Sequence, residues 1–283
     1  QRERRGELHG GPRIVPVSPR RDPARLIKAE GAGNDFLLGT GTWARRLADD
    51  PELVIRLCDR RRGVGADGVL AIEQTGPGSI RVTHRNADGS GSAFCANGTR
   101  CAARAAVEHL KCPPALRIET GWTEIPARVT PERVTLELPP PSTPVERTLE
   151  TETGPVTGWL LSVGVPHFVH RVEHLAGIDL ERVARPLRSH PDLGPDGANI
   201  HFVEMDPTGS LAIRSLERGV ESEVLCCGSG VVAAALVTMT ADTLTVIPAS
   251  GDVLVVESLA LPPTTASRLG GPARLVAEIT PLS

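Results

Sequence analysis

The feature that most constrains the fold is an internal repeat whose two copies lie 132 residues apart, the separation of Cys95 and Cys227. Blocks of similar sequence recur at this offset and in the same order. Phe36 falls on Phe168, Gly65–Asp67 on Gly197–Asn199, Arg85–Asn86 on Glu217–Arg218, and Cys95–Gly98 on Cys227–Gly230. A shared offset and order predict that one structural unit occurs twice in the chain.

Each copy of the repeat combines strand patterns with one apolar helical segment. Leu70–Ile72 and Ile80–Thr83 in the first copy, and Ile200–Val203 and Leu211–Leu216 in the second, are typical of strands. An Ala/Val-rich stretch follows each cysteine block, and its nearly uniform apolar character predicts a buried helix. We therefore predict an α+β fold with two pseudo-symmetric lobes, each a mixed β-sheet wrapped around a central buried helix.

The predicted organisation has a polar extension and two lobes. Residues 1–26 are Arg-rich without a following hydrophobic stretch, which is typical of a polar extension rather than a secretory signal. Pro139–Pro141 marks a crossover between the lobes. We assign 27–140 plus 270–283 to the first lobe and 141–269 to the second.

Composition excludes several functional classes. The net charge of −3 argues against nucleic acid as a partner, and no apolar run reaches the roughly 18 residues that a membrane span needs. The six cysteines form no CxxC pair and no Cys/His set with zinc spacing, so we expect free thiols, no metal and a cytoplasmic location.

Gly63–Gly68 matches the GxGxxG motif of dinucleotide-binding sites. That motif requires a strand before it and a helix after it, whereas here a helical pattern precedes it and a strand follows it. We therefore predict no dinucleotide site.

A cysteine at the start of a buried helix is suited to a specific kind of chemistry. Unpaired N–H groups and a partial positive charge at a helix N-terminus favour a thiolate and can bind a carboxylate. Two such helices facing each other would place two thiols around one carboxylate-binding pocket. One thiolate could remove a proton from one face of a carbon while the other thiol returned a proton to the opposite face. This chemistry inverts a stereocentre without a cofactor, and only Lys28 and Lys111 could form the Schiff base that pyridoxal phosphate requires.

The chain resembles the diaminopimelate epimerase family over roughly residues 27 to 280. The similarity is carried by short motifs in a fixed order, which are Lys28–Phe36, Arg62–Asp67, Asn86–Ser90, Cys95–Arg100, Gly164–His167, Ala198–Asn199, Glu217–Gly219, Cys227–Gly230 and Gly271–Ala273.

This resemblance implies a function and a set of site residues. The function is cofactor-independent epimerisation of LL-diaminopimelate to meso-diaminopimelate, in lysine and peptidoglycan biosynthesis. Cys95 and Cys227 would be the acid/base pair, with His167 and Glu217 beside the reacting centre. Cys226 would be structural. A small-molecule amino acid would be the substrate, held by Asn34, Asn86, Ala96, Asn97, Asn199, Glu217, Arg218, Gly228 and Ser229.

The sequence departs from the family pattern at four positions. Ala96 replaces the first Gly of Cys-Gly-Asn-Gly, Val165 replaces the Asn of Gly-Asn-Pro-His, and Gly68 replaces a Gln found in some members. A Tyr that supports the homodimer in some members is replaced near Ala277. Val165 keeps open a racemase of another amino acid, similar to a histidine racemase, and a non-catalytic amino-acid-binding protein is a further alternative.

Overall fold

The computed structural model describes residues 25–152, 154–259 and 266–281. Nearly all of the predicted polar extension, 1–26, lies outside the described residues. The first strand begins at Leu26, one residue inside that predicted extension, and the Leu26 side chain is fully buried. Among the described residues, no helix is both long enough and apolar enough to cross a bilayer.

The first copy of the repeat contains eight strands and three helices. The strands are β1 (Leu26–Gly31), β2 (Asn34–Thr40), β3 (Gly68–Gly76), β4 (Ser79–Asn86), β5 (Gly91–Ser92), β6 (Ala115–Glu119), β7 (Glu124–Val129) and β8 (Val134–Leu138). The helices are α1 (Thr42–Asp49), α2 (Pro51–Cys58) and α3 (Ala96–His109).

In the described residues, the second copy and the C-terminal segment contain ten strands and two helices. The strands are β9 (Val145–Thr151), β10 (Gly154–Val163), β11 (Val165–Arg171), β12 (Asn199–Met205), β13 (Leu211–Leu216), β14 (Glu223–Val224), β15 (Thr243–Pro248), β16 (Leu254–Ser258), β17 (Ser267–Gly271) and β18 (Arg274–Ile279). The helices are α4 (Leu180–Arg188) and α5 (Gly228–Thr238), and short 3-10 turns cover Leu175–Gly177 and Pro191–Leu193.

Strand pairing repeats between the two copies, which confirms the predicted pseudo-symmetric α+β architecture. β2 pairs in parallel with β3 and places Phe36 opposite Gly68, while β11 pairs in parallel with β12 and places Phe168 opposite Ile200. Both members of the second pair are 132 residues beyond their counterparts. The antiparallel pairs β3–β4 and β6–β7 recur as β12–β13 and β15–β16. The duplicated sequence therefore folds as a duplicated sheet.

The two lobes exchange strands at their junction. β18 pairs with β1 of the first copy. In the second copy, β9 holds the equivalent position because it pairs with β10. β17 pairs with β16 of its own copy and with β8 of the first copy, which joins all the strands into one continuous sheet. The lobe boundary that we propose at 270 therefore falls inside β17, a strand that pairs with both copies.

The helices α3 and α5 lie inside the sheet, as their composition predicts. Every residue of α3 from Ala96 to Ala106 is buried, and α5 is apolar on all sides. The helices α1 and α2 cover the other face of β2 and β3, whereas α4 packs with β12 and β13 in a separate core. The start of α2 follows from Asp50, whose side chain accepts a hydrogen bond from the Leu53 N–H, and from Pro51 at the first position.

Candidate active site

Cys95 and Cys227 occupy the N-cap positions of the two buried helices. Both have extended backbone conformations, with φ of −141° and −103°, and the helix begins at the following residue in each case. The two helix starts are in contact, because a methyl group added at Gly228 would lie 2.7 Å from Cβ of Ala96. The first-turn N–H groups of α3 and α5, which include those of Ala96, Asn97, Gly228 and Ser229, therefore converge on one place.

The side chain of Asn97 holds the two helix starts together. Its Nδ2 group donates to the carbonyl of Cys226 at 3.0 Å and to Oδ1 of Asn34 at 2.6 Å. Its Oδ1 atom accepts from Nη2 of Arg100 at 2.9 Å. Asn97 is almost completely buried, so these bonds fix its amide. The expected substrate contact of Asn97 can then come only from its backbone.

Burial reverses the predicted effect of the helix starts on the thiols. It raises the pKa of Cys95 to about 11, although hydrogen bonds from the N–H groups of Gly98 and Asn97 act in the opposite direction. It also raises the pKa of Cys227 well above its ordinary value, with a further contribution from Glu217. The cause is desolvation, because a thiolate loses its hydration inside the protein. The N–H groups at the helix starts do favour the thiolates, but burial outweighs them at both cysteines.

Glu217 lies directly beside Cys227. Its carboxylate and the thiol form a hydrogen bond, and burial raises the pKa of Glu217 above its ordinary value. Sγ of Cys227 also lies 3.8 Å from Oγ of Ser229. A carboxylate that accepts a hydrogen bond from a thiol keeps that thiol protonated, so Cys227 is the member of the pair that is set up to retain its proton.

His167 lies at one end of a hydrogen-bonded series of buried polar side chains. Nδ1 of His167 and Nε2 of His201 are hydrogen-bonded at 2.9 Å, and Nδ1 of His201 and Oγ of Ser215 at 2.8 Å. Burial lowers the pKa of His167 to about 3 and that of His201 well below its ordinary value, so both rings are neutral. Ligand atoms of His167, His201 and Cys227 lie within 4.8 Å of one another, which makes this group the one candidate for metal ligation in the described part of the chain.

Asn34 is the first residue of β2 and Asn199 is the first residue of β12. Asn34 donates through Nδ2 to Asp67 at 3.1 Å, and Oδ1 of Asn199 accepts from the backbone N–H of Arg218 at 2.8 Å. Arg218 also helps to lower the pKa of His167, so its charge acts at this site. Asn34, Asn97, Asn199 and Arg218 thus lie around the two helix starts.

Asn86 is the predicted site residue whose side chain is not connected to this network. It ends β4, and its Nδ2 group donates to Oγ of Ser90 within its own turn, at 2.9 Å. The backbone N–H of Asn86 also bonds to the Ser90 carbonyl. Its role in substrate binding stays a prediction.

Two buried polar residues at the site were not predicted. His201 shares a strand face with Asn199, and this two-residue spacing was the available signal. Its ring lies against Gly230, where an added methyl group would meet it at 2.2 Å. Arg100 is fully buried within α3, and a charged residue inside an otherwise apolar helical stretch was its signal.

Curated relatives of the chain share one description. A sequence from Aquifex aeolicus, a diaminopimelate epimerase, is 33% identical over 246 residues, covering 81% of this chain and 88% of the relative. The diaminopimelate epimerase of Halorhodospira halophila is 34% identical over 271 residues, covering 89% and 93%.

Solved structures with the same fold include an epimerase and a phenazine biosynthesis protein. A hydroxyproline epimerase from Agrobacterium vitis superposes with a TM-score of 0.65 at 17% identity, covering 90% of each chain. A phenazine biosynthesis protein from Bacillus anthracis has a TM-score of 0.67 at 16% identity, covering 90% of this chain and 98% of its own. The model of the family described as diaminopimelate epimerase matches residues 26–137 and 159–259, a span that contains both N-cap cysteines. The chain therefore belongs to the diaminopimelate epimerase family and is an isomerase of the amino-acid epimerase class.

Proposed function

We propose that this protein interconverts LL-diaminopimelate and meso-diaminopimelate by a two-base mechanism without a cofactor. The observation that carries the proposal is the pair of cysteines at the N-caps of two buried helices whose starts are in contact. Curated relatives with this name, at 33% and 34% identity, support the choice of substrate. The activity would serve lysine and peptidoglycan biosynthesis, and we place it in the cytoplasm.

The geometry supports a proton transfer on each face of the α-carbon. The substrate α-carboxylate would accept hydrogen bonds from the first-turn N–H groups of α3 and α5, which also stabilise the charge that develops on deprotonation. The thiolate of Cys95 would take the α-proton while the thiol of Cys227 delivers its proton to the opposite face. In the reverse direction the two thiols exchange roles, and the Glu217 carboxylate and His167 would assist the transfers at Cys227.

Neither lysine is placed to form a Schiff base at this site. Nζ of Lys28 is bonded to Asp35 at 2.6 Å and to the Gly65 carbonyl, and Nζ of Lys111 donates to the carbonyl of Glu108 at 2.7 Å. We therefore propose that the reaction proceeds without pyridoxal phosphate, and, because two thiols suffice for the proton transfers, that it needs no metal ion. Activity that persists after dialysis against a chelator supports this point.

The alternative substrate is an amino acid with an apolar or aromatic side chain. Val165 begins β11 after a turn at Gly164, and the Trp122 ring lies 3.5 Å from the position of a methyl group on Gly164. Trp122 in turn contacts the ring of Phe94, the neighbour of Cys95, at a centroid distance of 5.2 Å. An aromatic pair therefore borders the turn that carries Val165.

Exchange of the α-proton in heavy water tests the function directly. We expect deuterium incorporation into LL- and meso-diaminopimelate, and little into other amino acids of a panel that includes L- and D-histidine. Preferred exchange of a different amino acid would establish the racemase alternative. Binding without exchange on any of them would establish the non-catalytic alternative.

Removal of either thiol should abolish epimerisation. Cys95→Ala and Cys227→Ala each delete one proton carrier, so we expect turnover to fall by at least about 10³-fold. Cys58→Ala is the control, because Cys58 is also a free thiol but lies at the end of α2, in the core that α1 and α2 form with β2 and β3. Near-normal epimerisation by either of the first two variants would contradict the two-thiol mechanism.

We also propose that the protein forms a homodimer. Among the described strands, β18 pairs with β1 on one side only, and Val276 at its centre is 61% exposed. Light scattering at several concentrations tests this proposal, and a mass of one chain throughout would contradict it.

A further inference from the structure

Arg100 is a buried cation whose guanidinium is only partly satisfied. Nε donates to the Pro272 carbonyl at 3.2 Å and Nη2 donates to Oδ1 of Asn97, whereas Nη1 has no hydrogen-bond partner among the described residues. Both acceptors are neutral. The side chain has no exposed surface, so solvent cannot compensate its charge. An isolated charge in this position is costly unless an anion is placed near it.

The helix geometry around Arg100 adds positive potential, while the carboxylate of Glu217 opposes it at Cys95 and Cys226 and that of Glu30 opposes it at Cys101. Arg100 lies in the second turn of α3, close to the positive end of the helix dipole, and the start of α5 meets the start of α3. Its guanidinium also lies against the backbone of Gly271, 3.3 Å from the position of an added methyl group. The junction of the two lobes is therefore a site prepared for negative charge.

The charge of Arg100 acts on three thiols. It lowers the pKa of Cys95, Cys101 and Cys226, in opposition to the larger effect of burial. Cys101 and Cys226 are buried, whereas Cys95 is partly accessible and stands at an N-cap. Cys95 is thus the one of the three that can react with a ligand.

We infer that Arg100 is a positioning residue that stabilises negative charge at the helix starts. Its charge favours the thiolate of Cys95 and, on the proposed function, the bound α-carboxylate of the substrate. Its bond to Asn97 fixes the amide that joins the two helix starts.

Arg104 provides a matched control on the same helix. It lies one turn beyond Arg100, is also buried, and its Nε donates to the carbonyl of Ala273 at 3.3 Å. Unlike Arg100 it has an acidic neighbour, Glu108, at 3.6 Å. Arg104→Met therefore removes a buried arginine and a bond to the same C-terminal segment without removing the uncompensated charge.

The test is the pH dependence of Cys95 alkylation by iodoacetamide, followed by peptide mapping in Arg100→Met, Arg100→Lys and Arg104→Met. We expect Arg100→Met to raise the midpoint for Cys95 by about one pH unit or more, which is about a tenfold loss of thiolate at a given pH. Arg100→Lys retains the charge and should stay within about half a unit of the unmodified protein, as should Arg104→Met.

An unchanged midpoint in folded Arg100→Met, or an equal shift in Arg104→Met, would overturn the inference. If Arg100→Met does not fold, Arg100→Lys decides, and a shift of about one unit or more in that variant would overturn it. The alkylation requires no substrate. The unmodified protein could fail to exchange the α-proton of any amino acid while only Arg100→Met shifts the midpoint. That result would refute the proposed function and leave the effect of Arg100 on Cys95 intact.

Discussion

At the scale of single residues, opposing effects decide the state of each thiol. The N–H groups at the helix starts favour a thiolate, but desolvation outweighs them at both Cys95 and Cys227. The charge of Glu217 raises the pKa of both cysteines, but only Cys227 is hydrogen-bonded to it, and Arg100 lowers the pKa of Cys95. On the proposed function, this difference favours Cys95 as the base and Cys227 as the acid.

Glu217→Gln should separate these two roles. Removing the carboxylate charge lowers the pKa of Cys227, because that charge and its hydrogen bond both oppose the thiolate. We expect Cys227 to be alkylated at lower pH and epimerisation to fall by about 10²-fold or more. Glu221→Gln is the control, since Glu221 lies in the same loop and its carboxylate bonds to Arg188 instead. Alkylation of Cys227 at an unchanged pH would contradict the assigned contact.

Val165→Asn should discriminate between the two substrate classes. A new amide supplies a hydrogen bond to the distal polar end of diaminopimelate, a contact worth about 1–3 kcal/mol when its absence leaves a buried group unsatisfied. KM for diaminopimelate should then stay the same or fall. If the substrate has an apolar side chain, KM should rise instead, because the amide faces apolar surface. Measurement of kcat/KM on both substrate types decides which is correct.

At the scale of elements, the approach of α3 to α5 depends on small residues at both helix starts. Cβ of Ala96 and the backbone of Gly228 fill the same gap, and Oδ1 of Asn97 lies 3.0 Å from the position of a methyl group on Gly228. Family members with Gly at the position of Ala96 would have more room there. In this chain the methyl group of Ala96 occupies that space.

Gly228→Ala should therefore force the helix starts apart. The two methyl groups would lie 2.7 Å apart, and a displacement of about 1 Å between catalytic groups can reduce the rate by about 10²-fold. We expect the double variant Ala96→Gly with Gly228→Ala to recover part of the activity. Gly177→Ala is the control, because nothing lies within 4 Å of its added methyl group. A Gly228→Ala enzyme with normal kcat would show that the contact has no catalytic role.

At the scale of the whole molecule, the buried histidines couple stability to pH. The pKa of His167 is about 3 in the folded protein, against an ordinary value of 6.5, because burial opposes the charged form. Below about pH 6.5 the unfolded chain binds a proton at this position that the folded chain does not bind. Stability is therefore lost as the pH falls from about 6.5 towards 3.

The loss at pH 5 should be about 2 kcal/mol for His167 alone, relative to neutral pH. Denaturant unfolding of the protein at several pH values measures it. His167→Gln should flatten this dependence by about that amount, whereas His174→Gln, at an exposed position, should leave it unchanged. An equal pH dependence in the protein and in His167→Gln would contradict the coupling.

The sequence by itself determined the repeat, the buried helices and the cysteines at their starts. These features follow from local patterns, since an Asn-Gly or Ser-Gly step before an Ala/Val-rich stretch predicts a buried helix wherever the segment lies. The repeat in the sequence is matched by a repeat in strand register, because Phe36 pairs with Gly68 and Phe168 pairs with Ile200.

Only the tertiary structure decided how the thiols ionise and which polar groups surround them. Desolvation depends on everything that packs around an atom, and the residues around Cys95 and Cys227 come from both lobes. The contact of Arg100 with Pro272 joins residues 172 positions apart, and that of Asn97 with Cys226 joins residues 129 positions apart. No local pattern encodes such pairs, because they exist only after distant segments of the chain pack against each other.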